Sequence, residues 1–182
     1  MKKSLDTYVK CLIMAALFVL IGPAQGQGCD KNVFFKIDIP EGWVETCVHP
    51  ATEKNTNLPA ISMEYCNSDE SQRYQYSYVI IMKGDVDGKQ YIPLHVSKDL
   101  DTTITEPLCY YKEENFHGLP ALSYTFGGTT HGVNNVGKIY FVKAKGFSII
   151  FVNYFMPNKS GMRHEIDVWK TLQWLPQDQW RI

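Results

Sequence analysis

The residues with the chemistry to catalyse, ligate or bind are few. They are five histidines (His49, His95, His117, His131, His164), four cysteines past residue 26 (Cys29, Cys47, Cys66, Cys109) and one polar run, "GGTTHGVNNVG" from Gly127 to Gly137. A zinc site assembled on one helix or hairpin needs His or Cys ligands at short fixed spacing. No two histidines here meet that need, and His164-Glu165 lacks a second His four residues on. No G-x-S-x-G, H-E-x-x-H or G-x-x-x-x-G-K-[ST] pattern occurs. A Cys with His and Asp could form a thiol hydrolase, but Cys47 and Cys66 fall in or beside strand patterns, away from any helix N-terminus that would depress a thiol pKa. Asp85 and Asp87 in Gly84–Gly88 have the alternation of a calcium loop without its later glutamate. The pairs Glu113-Glu114 and Asp99/Asp101 read as solvated charges. The expectation is therefore of no catalytic residue, no metal ligand and no cofactor: the chain is read as a non-enzyme, with a hydrolase built from distant segments as the competing possibility.

The Gly127–Gly137 run reads as a long polar loop, and such loops are where binding residues concentrate. Thr129, Thr130, His131, Asn134 and Asn135 are its candidate partner-binding side chains. Tyr74, Tyr76, Tyr78, Tyr110 and Tyr111 add rings with polar tips, suited to binding surfaces and equally to ordinary strands. Cys29, Cys47, Cys66 and Cys109 are the candidate disulfide set, and four cysteines allow three pairings that sequence does not separate.

Compartment supports the disulfide reading. Lys2, Lys3 and Lys10 precede or open onto an apolar run from Cys11 to Ile21, which Gly22-Pro23 and Ala24-Gln25-Gly26 follow. That is the pattern of a secretory signal peptide over residues 1–26, cut after Gly26. Lipid anchoring through Cys29 is the weaker option, because Gly26-Gln27-Gly28-Cys29 matches a lipobox only at its last small residue. The remaining residues 27–182, about 155 residues, suffice for one domain with its own core. Removing the leader shifts the formal charge from −1 to about −3. Nothing in that balance suits nucleic acid, and no later apolar run is long enough to cross a membrane as a helix. An exported protein, periplasmic or extracellular, is expected.

The elements that must position these residues are mostly strands. Val33–Ile39 alternates and stops at Pro40-Glu41-Gly42, and Trp43–Val48 restarts. Ile61, Met63 and Tyr65 alternate again. Tyr78–Met82 and Phe147–Phe155 are apolar on both faces, the mark of strands covered on both sides. Leu108–Lys112 and Ala121–Phe126 form a hairpin about His117-Gly118, and Lys138–Lys145 turns at Gly146 into Phe147–Phe155. Pro93–Thr103 suits a short helix opened by its proline. Ser160 caps a second helix through Gln173, with Met162, Ile166, Trp169 and Leu172 on one face.

This order of elements resembles the Mog1/PsbP/DcrB-like fold family. The residues that carry the resemblance are Ile39-Pro40-Glu41-Gly42-Trp43 after the first strand, His117-Gly118-Leu119-Pro120-Ala121-Leu122 between two strands, and the ending Ile166–Trp174. The resemblance implies an α+β fold, an antiparallel β-sheet covered by helices in an α/β sandwich. It also implies a non-catalytic accessory or protein-binding role in the cell envelope or periplasm, with another envelope protein as partner. The alternative is a lipocalin-like carrier of a small hydrophobic ligand, which would require a closed barrel.

Overall fold

Three two-residue turns of one kind build the centre of the sheet. His117-Gly118, His131-Gly132 and Lys145-Gly146 all have both residues at positive φ, between 50° and 94°. That conformation matches the twist of flanking antiparallel strands, and a glycine in the second place adopts it without strain. The structure, a computed structural model, describes residues 33–48, 53–68, 75–105, 110–155 and 166–182, with the side chains of residues 47 and 48 excepted. Contacts divide the chain into Met1–Asp30 and Lys31–Ile182, and every described residue belongs to the second unit. The expected leader, Cys29 and Cys109, His49, His164 and the Ser160 cap lie outside the described residues.

The strands are β1 (Phe35–Lys36), β2 (Trp43–Val48), β3 (Ala60–Asn67), β4 (Gln75–Lys83), β5 (Thr103–Ile104), β6 (Tyr110–Phe116), β7 (Leu119–Thr130), β8 (Val133–Ala144), β9 (Phe147–Phe155) and β10 (Gln173–Trp174). One helix, α1 (Gly88–Lys98), follows β4. The main sheet runs β2-β3-β4-β9-β8-β7, with β5 and β6 sharing the outer edge of β7, and every pair is antiparallel. The sheet is open, with β2 at one end and β5 and β6 at the other. The closed barrel that a lipocalin-like carrier needs is absent among the described residues.

Both faces of this sheet are covered. On one, Tyr91, Ile92 and Val96 of α1 pack on Met82, Ile150, Val152, Ile139, Phe141 and Phe126. On the other lie the first and last segments among the described residues. β1 pairs with β10, Phe35↔Trp174, and Phe35, Trp169 and Trp174 converge on Phe151 with ring centroids 5.1–5.6 Å apart. Gln75 ties this layer down: its side-chain oxygen accepts from the Ile166 N–H at 2.8 Å, and its amide donates to the Ile166 carbonyl at 2.5 Å. All nine residues of β9 are buried in consequence, as its two-sided apolar sequence predicts.

Four expectations are corrected. The cover is one α-helix on one face and the chain ends on the other among the described residues, in place of helices throughout. The late helix does not form over its described part. Asp167 accepts from the Trp169 N–H at 3.1 Å and starts a single 3₁₀ turn, Val168–Thr171, after which Leu172 is extended and β10 begins. Burial of Trp169 against Tyr65 and Phe151 outweighs the helical spacing. The middle helix starts five residues before Pro93, because Asp87 caps it by accepting from the Lys89 N–H. Pro93 is thus interior, and it leaves the Lys89 carbonyl without its helical donor. The Tyr111 hydroxyl donates to that carbonyl at 3.4 Å. Finally, the first strand is only Phe35–Lys36. Phe34 and Phe35 are both buried while Ile39 is exposed, so strict alternation fails there.

The Pro40–Trp43 corner behaves as its residues require. The Trp43 N–H donates to the Pro40 carbonyl at 3.0 Å, and Gly42 supplies φ +77°. Trp43 is buried at the start of β2.

Candidate functional site

The eleven residues of α1 make a rod of about 16 Å, shorter than the sheet is wide at about 4.8 Å per strand. The helix covers β4, β9, β8 and β7 and leaves the same face of β3 open. The step between them is a cleft of about 430 Å³, walled by Ser62 and Glu64 of β3, Tyr78 and Ile80 of β4, the C-terminal end of α1 through Leu100, and Glu53-Lys54.

A polar relay crosses the cleft floor. His95 sits in the buried stripe of α1 with Tyr91, Ile92 and Val96, and is 2 % exposed. Asp99 lies one turn on, and its Oδ2 is 2.6 Å from His95 Nδ1. On the other side of the ring, His95 Nε2 and the Tyr78 hydroxyl share a hydrogen bond of 2.6 Å. Tyr91 stacks on the His95 ring at 5.6 Å and 16°. The Asn55 side chain donates to Asp99 Oδ2 at 2.8 Å and to Glu53 Oε1 at 3.1 Å. Glu53 also accepts from the Asn55 and Thr56 N–H groups and the Thr56 hydroxyl, all at 2.8–2.9 Å. It is a buried carboxylate with its acceptor sites filled.

The groups differ in how their charge is met. Burial works against the Asp99 charge, but the hydrogen bond and charge of His95, the Asn55 amide and the Lys54 ammonium outweigh it and hold the carboxyl below its ordinary range. Burial, then the negative charges of Asp99 and Glu64, push the Tyr78 phenol far up, so it stays protonated. Glu64 stands directly opposite Tyr78 in register. Its carboxyl is raised by loss of water although part of its surface faces the open cleft. Glu64, Lys54 and Lys98 are exposed side chains; among the described residues no hydrogen bond or close ion pair fixes their charged groups, and Lys54 acts on Asp99 through its charge alone.

The five residues expected to form a binding loop are elsewhere, and the loop itself is a hairpin. Thr129 and Thr130 end β7, His131 occupies the turn, and Asn134 and Asn135 lie in β8. The Thr130 hydroxyl sits 2.9 Å from both the Thr102 hydroxyl and the Tyr154 hydroxyl, and accepts from the Asn135 amide at 2.7 Å. His131 pairs with Asp101 at 3.3 Å on the surface, Thr129 faces Thr103 in register, and Asn134 is exposed. None of the five lines the cleft. The Asp85/Asp87 turn is structural: Asp87 caps α1 and Asp85 pairs with Lys143 at 2.5 Å.

Of the cysteines, Cys66 is half-buried on β3, and no disulfide is present among the described residues. The sequence reading missed His95 and Asp99. The pattern His-Val-Ser-Lys-Asp is an i,i+4 pair once the helix is placed correctly. Tyr78 and Glu64 required the β3–β4 register, a non-local fact.

The chain matches no protein-family model and no curated protein sequence. Three solved structures are similar in architecture. One is from Bacteroides thetaiotaomicron, at 14 % identity and TM-score 0.44, where the match covers 79 % of this chain and 46 % of the other, so this chain spans about half of that one. The second is LpqN of Mycobacterium tuberculosis, described as involved in cell envelope biogenesis, at 11 % identity, TM-score 0.42 and coverage of 78 % and 83 %. The third is the cyanobacterial PsbP (CyanoP) of Synechocystis, at 13 %, 0.44, and 76 % and 89 %. At 11–14 % identity no residue role transfers from these likenesses.

Proposed function

We propose that this chain is an exported, non-enzymatic accessory domain of the cell envelope or periplasm that binds its partner or ligand in the cleft beside α1. One observation carries the reading: one concave surface gathers the exposed Glu64, Lys54 and Lys98 above the Tyr78–His95–Asp99 relay. Water hydrates these charges when the cleft is empty, and a ligand of matching charge can take its place. The lysine-led leader supports export.

A second reading, acid–base catalysis, is favoured by the Tyr78–His95–Asp99 relay in the same cleft. It is the weaker one. Both ring nitrogens of His95 are engaged, and the relay ends in a phenol held protonated, so the relay itself offers the ligand no free base or nucleophile. Turnover of p-nitrophenyl acetate that disappears in Tyr78→Phe would reverse this order.

The test is native mass spectrometry of the protein purified from its own compartment, beside Ser62→Trp, which fills the cleft from β3. Wild type is expected to retain an occupant that Ser62→Trp loses, with unchanged far-UV circular dichroism. Equal retention by both, or no occupant on wild type, removes the cleft from the function.

A further inference from the structure

The cleft carries a more specific reading, which rests on the cleft being the binding site. Its carboxylates fall into two kinds. Glu53 is held by four donors, and Asp99 receives His95 and Asn55, both on Oδ2. Both are consumed in holding the Glu53–Asn57 turn against α1. Glu64 is different: it projects from the uncovered part of β3, across from Tyr78, and accepts from no donor among the described residues. Lys54 and Lys98 face the same space and pair with no carboxylate among the described residues. Between them the walls are Ile80 and Leu100, both partly buried and apolar.

A purely cationic ligand would meet Glu64 and Asp99 but would leave both lysine ammonium groups unmatched. A purely anionic one would meet the lysines and be repelled by Glu64. An apolar ligand would leave all three charges desolvated and unpaired. A small molecule bearing both charges about an apolar centre satisfies every unmet group at once. We infer that the cleft binds a small zwitterion of the free amino acid or dipeptide class, with its ammonium on Glu64, its carboxylate on Lys54 and Lys98, and its side chain against Ile80 and Leu100. A cleft of about 430 Å³ is sufficient for a ligand of this size.

The geometry also couples binding to proton release. Loss of water holds the Glu64 proton more tightly than in a free side chain, and an ammonium arriving beside it favours the ionised form and drives that proton off. A zwitterion whose ammonium sits on Glu64 thus binds with proton release at a pH where Glu64 is partly protonated.

Isothermal titration with L-alanyl-L-leucine tests this, with its N-acetyl and C-amide forms as probes that each lack one charge. The unmodified dipeptide is expected to bind saturably, with a heat that varies with the ionisation enthalpy of the buffer. N-acetylation and Glu64→Gln should each weaken binding at least tenfold and should not add to one another. C-amidation should behave likewise with the double variant Lys54→Ala/Lys98→Ala, and Glu64→Gln should abolish the buffer dependence. Equal binding of the N-acetyl form, or no binding of L-alanyl-L-leucine, overturns the inference. In the second case the native occupant decides what else falls. If Ser62→Trp still loses it, the cleft binds something of another class; if Ser62→Trp retains it, the cleft reading fails as well.

Discussion

Glu64 and Asp99 share one cleft and titrate in opposite directions, and the reason is the company each keeps. Asp99 receives His95 and Asn55, so its folded-state carboxyl is depressed below the ordinary 3.8. Its stabilising contribution is present above that value and is lost as pH falls through the depressed one. Glu64 keeps exposed surface but loses part of its water and gains no donor among the described residues, so it is raised above the ordinary 4.5. Its contribution is complete below 4.5 and is lost as pH rises through the raised value. Glu64→Gln removes that loss. The variant is expected to match wild type in melting temperature near pH 4 and to exceed it at pH 7, whereas Asp99→Asn falls below wild type at pH 7. A Glu64→Gln melting temperature equal to or below that of wild type at pH 7 would mean Glu64 is well solvated. Little of this was legible in the sequence. His95 and Asp99 look like scattered polar residues until the helix register is known, and Glu64 meets Tyr78 only through strand pairing fourteen positions apart along the chain.

At the scale of elements, local chemistry was readable and long-range override was not. His117-Gly118 and Gly146 announce hairpins because positive φ is a property of the turn residues themselves. His131-Gly132 carries the same signature, flanked by the β-branched Thr129, Thr130, Val133 and Val136, yet the polar composition of Gly127–Gly137 made it look like a loop. The late helix failed for the opposite reason: its spacing was good, but Trp169 gains more by entering the aromatic layer. The glycines of this hairpin separate backbone from packing demands. Gly137 lies under Phe126, so a Cβ there would run into the ring and into the Asn153 carbonyl. Gly132 has open space but φ +77°. Gly137→Ala is expected to cost about 1–3 kcal/mol through overpacking, and Gly132→Ala about 1 kcal/mol through backbone strain. Urea unfolding midpoints measure both, and a neutral Gly137→Ala would contradict the packing of β8 on β7. Register also constrains the cysteines. Cys47 pairs with Met63 and Cys66 with Val44, three positions apart on neighbouring strands. That offset is about 10 Å, beyond the roughly 7 Å a disulfide can bridge. Non-reducing peptide mapping should therefore find no Cys47–Cys66 peptide; recovering that peptide would require a different β2–β3 register.

The described domain is a sheet with unequal covers. α1 closes one face and stops short, which creates the cleft, while the other face is sealed by residues from the two ends of the domain. Phe34 and Trp180 lie far apart in sequence and meet with ring centroids 5.4 Å apart, each also against Phe147. Trp180 further packs on Trp174, and its indole N–H donates to the Leu175 carbonyl at 3.2 Å. This seal supports the site from behind, because β9 carries Phe147 and Phe151 on the sealed face and Ile150 and Val152 under α1. Trp180→Ala removes a buried indole from three aromatic neighbours and is expected to cost about 3–5 kcal/mol. Trp180→Phe keeps ring contact, loses the N–H donor and should cost less. Chemical denaturation gives the two values, and titration of the cleft ligand onto folded Trp180→Phe should leave affinity within twofold of wild type, since the substitution lies on the opposite face of the sheet. A Trp180→Ala cost below about 1 kcal/mol would show that the chain end contributes little to the core, and the sheet would then owe its stability to α1 and to strand pairing alone.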